Sequence, residues 1–177
     1  RNIMAGIIKV NQYQDFNGNS IMTSDGNGNI TPNTEGLKNT PAFLVRASAA
    51  QTVSNNSHTK LTFGTVTYNI GSHWDASNNY FKPTVAGTYF LHGLLRYDTG
   101  TDWEYADIQI RVNGSTYIAQ ALARNEYYEG RNASILYEFN GTTDYAEVYT
   151  YQNSGSNQDL ASGENHRYFM GYKLIGA

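Results

Sequence analysis

The sequence contains no cysteine, which excludes a disulfide frame and any thiolate metal site. Proline is scarce, with three residues, and charged residues make up only 15% of the chain. The net charge of −3 and the scattering of single Lys and Arg residues leave no basic field for nucleic acid or an anionic membrane. No apolar run approaches the roughly 20 residues of a membrane-spanning helix. Nothing near Arg1 resembles a charged-then-apolar signal peptide. Long stretches with the 3.6-residue period of an amphipathic helix are missing too.

What the chain has instead is tyrosine, 15 residues against 7 Phe and 2 Trp, together with 17 glycines and many asparagines. So aromatic a chain is not disordered, and so turn-rich a chain is not a helical bundle. The expectation is an all-β protein. Eight strands are read at about 42–47, 58–68, 88–97, 105–112, 116–123, 133–139, 145–151 and 167–175. That number suits an antiparallel sandwich or barrel. Asn113-Gly114 and Asn140-Gly141 mark tight hairpins, because both residues tolerate the positive φ of a type I′ turn. The connections at 98–104, 124–131 and 153–165 are longer.

Composition shifts near Pro41. Residues 1–40 carry Asn17-Gly18, Asp25-Gly26 and Asn27-Gly28 between short β-type runs, which predicts small hairpins with little core of their own, docked on a partner or on copies of themselves. This segment is read as a stem or attachment segment and 41–177 as the head. In the head, the strand near Leu94 is apolar on two faces, with Tyr89, Leu91 and Leu95 on one and Phe90 and Leu94 on the other. The last strand behaves alike, with Tyr168, Met170 and Tyr172 opposed to Phe169, Lys173 and Ile175. A half-exposed strand should alternate cleanly. Phe90, Leu94, Phe169 and Ile175 are therefore expected at a subunit interface.

Phe63-Gly64-Thr65-Val66-Thr67-Tyr68-Asn69-Ile70-Gly71, Trp74-Asp75, Tyr80-Phe81-Lys82-Pro83 and Ala86-Gly87-Thr88-Tyr89-Phe90 occur in that order, followed by Arg111-Val112-Asn113-Gly114 and Phe169-Met170-Gly171-Tyr172-Lys173-Leu174. This set resembles the globular head of the complement component 1q family, a branch of the tumour-necrosis-factor-like jelly rolls. The resemblance implies a homotrimer of jelly rolls of about ten strands. Ser77-Asn78-Asn79 and Asp144-Tyr145 depart from the family pattern and remove support for its calcium site. Gly36 to Pro41, leading into Ala42-Phe43-Leu44-Val45, is similar to virion proteins of tailed bacteriophages. The resemblance implies a virion fibre, tail appendage or capsid decoration, assembled in the host cytoplasm and joined to other virion proteins through the N-terminal segment.

Catalytic patterns are thin. His58, His73, His92 and His166 stand far apart, and no Gly-x-Ser-x-Gly elbow or phosphate loop occurs. In Asp25 to Asn29 a hairpin outweighs a calcium loop, since Ile30 stands where the turn needs Gly. Asp98, Asp102, Glu104 and Asp107 cluster around Trp103, a grouping that a glycosidase would need in pairs but that reads more simply as a solvated loop. No enzyme activity, metal or other cofactor is expected. Trp103, Tyr127 and Tyr128, beside Asp102, Glu104, Arg124 and Arg131, are the expected receptor-binding set, suited to a host glycan or protein. The rival expectations are a secreted trimeric ligand of the complement or tumour necrosis factor type and a carbohydrate-active enzyme.

Overall fold

The computed structural model describes residues 10–33, 38–98, 105–114, 116–123 and 130–176. Strands β1 (Gln12–Gln14), β2 (Ser20–Ser24) and β3 (Ile30–Pro32) form an antiparallel sheet that pairs with no other strand among the described residues. Its turns repeat one pattern, Asp-x-Asn-Gly-Asn, at Asp15 to Asn19 and at Asp25 to Asn29. In the first, Asp15 Oδ1 accepts the backbone N–H of Asn17 and of Asn19 at 2.9 and 2.8 Å, and its Oδ2 accepts the Asn19 amide at 2.8 Å. Asp25 does the same with Asn27 and Asn29. Side-chain bonds to nearby backbone are what make Asp a turn residue, and here they widen the expected two-residue hairpins to five. Tyr13, Phe16 and Ile30 stay exposed, in keeping with a segment that has little core of its own.

The head is a sandwich of two antiparallel sheets. The first runs in the order β13 (Gly130–Phe139), β10 (Gly87–Arg96), β16 (Arg167–Lys173), β4 (Ala42–Arg46), β7 (Thr65–Ile70). The second runs β12 (Thr116–Ala123), β11 (Ala106–Val112), β14 (Ala146–Gln152), β9 (Tyr80–Phe81), β8 (Trp74–Asp75), with β6 (Thr59–Lys60) also on β14. A small pair, β5 (Gln51–Val53) with β15 (Gln158–Leu160), lies beside them. The strand expected over 58–68 is two strands in different sheets. Between them Leu61 and Phe63 turn into the core as the chain crosses the sandwich.

Aromatic rings fill the space between the sheets. Phe43 stacks on Phe81 at 4.3 Å and meets Phe169 edge-on at 4.9 Å, while Tyr89 meets Phe139 edge-on at 5.3 Å. Such offset and edge-to-face pairs suit the ring quadrupoles. Gly171 is required where β16 passes this cluster, because a Cβ there would lie 2.7 Å from both Leu91 Cδ2 and the Phe90 carbonyl.

Three expectations need correction. Phe169 is not on the outer face: it is fully buried in the chain's own core, opposite Gly93. Both faces of β16 carry aromatics, so sequence alternation cannot tell which parity points inward. Arg131 is not a loop residue but the second residue of β13, 4% exposed, with its guanidinium 5.5 Å from the Tyr97 ring. Asn140-Gly141 does not close a hairpin; it leads from β13 in one sheet to β14 in the other. Asn113-Gly114 does turn β11 back onto β12, with φ of 54° and 82°.

Strand register puts Ala106 opposite both Ala123 and Gln152, and Leu95 opposite both Arg131 and Arg167. The strand ends that carry the three long connections therefore share one end of the head. Ala42, opposite Tyr172, and Val112, opposite Ala146, lie at the other. Asp102, Trp103, Glu104, Arg124, Tyr127 and Tyr128 lie outside the described residues.

Candidate functional site

Strand β11 sends Ile108, Ile110 and Val112 into the core, so Asp107, Gln109 and Arg111 occupy the opposite face. That face should be wet, yet Asp107 is fully buried and Gln109 and Arg111 are nearly so. Asp107 was expected in a solvated acidic loop; it is instead a strand residue under a polar layer. Buried polar groups need partners, and each of these has them.

Four donors converge on the Asp107 carboxylate. Oδ1 accepts the Tyr151 backbone N–H at 2.9 Å. Oδ2 accepts the Gln109 amide at 2.5 Å, the Gln120 amide at 2.7 Å and the Tyr105 hydroxyl at 3.2 Å. The Gln109 carbonyl oxygen in turn accepts Arg111 Nε and Nη2 at 2.9 and 2.6 Å. The Arg111 guanidinium lies between the rings of Tyr117, at 4.7 Å, and Tyr149, at 4.1 Å, a cation–π sandwich. Burial first, and then the Asp107 charge, push the Tyr105 hydroxyl up to about 12, so it remains a donor at neutral pH.

Above this layer opens a cleft of about 630 Å³ lined by His58, Tyr105, Gln109, Tyr117, Gln120, Tyr151 and Asn153. The His58 ring lies 5.0 Å from that of Tyr151 and 6.2 Å from that of Tyr117, and Tyr105 meets Tyr151 edge-on at 5.5 Å. None of the described residues that line it is a carboxylate, a lysine or an arginine. Nor, among the described residues, does any group of three His, Asp or Glu side chains come together that could hold a metal ion.

The outer face of the first sheet is the second unusual surface. Register places Phe90 opposite Tyr172 and Leu136, His92 opposite Met170 and Ser134, and Leu94 opposite Tyr168. The His92 ring is within hydrogen-bonding distance of Ser134 Oγ at 2.8 Å and of the Tyr168 hydroxyl at 3.2 Å. Burial lowers its pKa from the ordinary 6.5. Leu136 is 55% exposed and Ile175, past the end of β16, 54%. Of the four expected interface residues, Phe90 and Leu94 share this face, and Phe169 does not.

Sequence reasoning missed the cleft. Asp107, Gln109 and Arg111 alternate with aliphatics as any solvated strand does, and nothing in that pattern reveals the tyrosines of three other segments folding over them.

No protein-family model and no curated protein sequence matches the chain. Solved structures do. Murine APRIL aligns with a TM-score of 0.58 at 12% identity, over 75% of this chain and 99% of its own. Eiger TNF from S. frugiperda gives 0.56 at 10%, over 77% and 93%. The globular domain of zebrafish complement 1qA gives 0.53 at 11%, over 76% and 96%. At these identities the likeness is one of fold. The chain is an all-β jelly roll of the tumour-necrosis-factor and complement 1q type.

Proposed function

We propose that the chain is a non-enzymatic head that assembles as a homotrimer and displays binding surfaces on the stem formed by its first forty residues. The observation that carries this reading is the outer face of β10, β13 and β16. It presents Phe90, Leu94, Leu136, Met170 and Tyr172, partly exposed and covered by no other strand among the described residues. Monomers rarely expose contiguous apolar patches of this kind. An identical copy is the partner that a closed symmetric oligomer supplies.

The setting we infer is the surface of a tailed-bacteriophage particle, as a fibre, tail appendage or capsid decoration, with the self-paired β1–β3 sheet as the attachment segment. The absence of cysteine suits assembly in a reducing cytoplasm. A second reading, a secreted trimeric ligand, is favoured by the likeness to APRIL and Eiger TNF. Mass spectrometry of purified virions separates the two.

Native mass spectrometry tests the assembly. The expected value is three times the 19.7 kDa chain mass, reduced to one by Leu94→Asp with Leu136→Asp. A monomeric parent protein, or a double variant that stays trimeric, overturns the reading.

A further inference from the structure

We propose that the cleft over Asp107 is a binding site for a neutral saccharide. This goes beyond the trimeric-head reading and does not depend on it, since the cleft is built on β11, β12 and β14 of one chain, on the sheet opposite the proposed interface.

The lining chemistry narrows the ligand. Tyr105, Tyr117, Tyr151 and His58 offer flat rings, suited to the C–H faces of a pyranose, with hydroxyl and imidazole edges for its hydroxyls. A phosphate or sulfate finds no cation among the described lining residues. Arg111, the nearest buried guanidinium, is occupied by Gln109 and two tyrosine rings, and the carboxylate beneath is negative. A purely apolar ligand would cover the Gln120 carbonyl oxygen, which accepts no hydrogen bond among the described residues, without pairing it, a cost that favours a ligand rich in hydroxyls.

The site is built in advance. Asp107 is fully buried and organises Gln109, Gln120 and Tyr105 through charge-assisted hydrogen bonds. Gln120 spends its amide N–H on Asp107 and on the Tyr105 oxygen. Its carbonyl oxygen has no hydrogen bond among the described residues and faces the cleft as an acceptor. A fixed donor and acceptor frame beside aromatic walls is the usual constitution of a small-ligand site.

The test uses the whole chain and saturation-transfer NMR with maltose, cellobiose, lactose and diacetylchitobiose at millimolar concentration. Glucose 6-phosphate and a proline-rich decapeptide form the contrasting arms. The expected result is transfer to at least one neutral disaccharide, with amide shift changes around residues 105–109, 117–120 and 151. His58→Ala with Tyr117→Ala, both exposed positions, should weaken that disaccharide at least about tenfold, whereas Tyr68→Ala on the first sheet should leave it unchanged. No transfer to any neutral disaccharide, shift changes confined elsewhere, or a response only to the phosphate or the peptide overturns the proposal. Native mass recorded on the same samples keeps the two readings separate: a trimer that ignores sugars sinks the cleft alone, and a monomer that binds them sinks the trimer alone.

Discussion

The two sheets of the head answer the same problem in opposite ways. Each has a central strand whose outer face is not the plain polar surface a sandwich shows to water. On β10 and β16 that face is aromatic and aliphatic and stays partly exposed among the described residues. On β11 it is charged and polar, and tyrosines and amides of the same chain cover it. Apolar surface gains from any sufficiently complementary cover, so a second copy can supply it. A buried carboxylate needs donors held in specific directions, which only groups already fixed by the same fold provide. In the proposed trimer one sheet is completed by a second copy, whereas the other finds its cover within the chain and keeps a cleft beside it.

Reversing inside and outside on β16 gives the largest expected effect. Phe169→Ala should cost about 3–5 kcal/mol of folding stability, measured as a fall in the urea midpoint, because the ring is enclosed by Phe43, Phe63 and Trp74. Met170→Ala, one residue on and half-buried on the outer face, should weaken the proposed trimer while changing the stability of the single chain much less. Equal losses in the two variants would erase the distinction between the faces of β16.

On the other sheet, Asp107→Asn keeps the shape and removes the charge. Charge-assisted bonds from Gln109, Gln120 and Tyr105 then weaken, at an expected cost of about 1.5–3 kcal/mol in chemical denaturation. The Tyr105 hydroxyl should also titrate lower, since the Asp107 charge contributes to its elevation. Ultraviolet titration of tyrosine in the parent and the variant reads this directly.

Acidification should act on the first sheet through His92. Burial favours the neutral ring in the folded state and lowers the pKa from 6.5. The contribution is thus fully present above about 6.5 and lost as pH falls through the lower folded value. The urea midpoint should therefore fall more steeply on acidification through that interval in the parent than in His92→Gln. Identical profiles would remove His92 from the face's energetics.

The smallest effect belongs to the β1–β3 sheet. Hydrogen bonds from Asn19 and Asn29 hold the Asp15 and Asp25 carboxyls below the ordinary value of 3.8. Their turns should persist above that value and loosen only as pH falls through the depressed ones. Amide chemical shifts of Asn17, Asn19, Asn27 and Asn29 report it; movement well above pH 3.8 would contradict the assigned bonds.

Much of this molecule is written in local pattern. Tyrosine, glycine and asparagine content implies strands and turns, and β12 begins and ends where its residues suggest. Asn113-Gly114 dictates its own hairpin because positive φ is a property of the residue and its neighbour. The apolar second face near Leu94 is legible as well, since an excess of hydrophobes shows whatever the orientation. Three matters lie beyond any local reading. Which parity of β16 points inward depends on Gly93 and Phe43 arriving from other strands. Whether Asn140-Gly141 joins neighbours or crosses the sandwich depends on strand order. The cleft itself depends on Asp107 being covered by Tyr105, Gln120 and Tyr151, residues up to 44 positions away. A sequence specifies which side chains want water and which do not. Only packing in three dimensions decides which polar ones find partners instead.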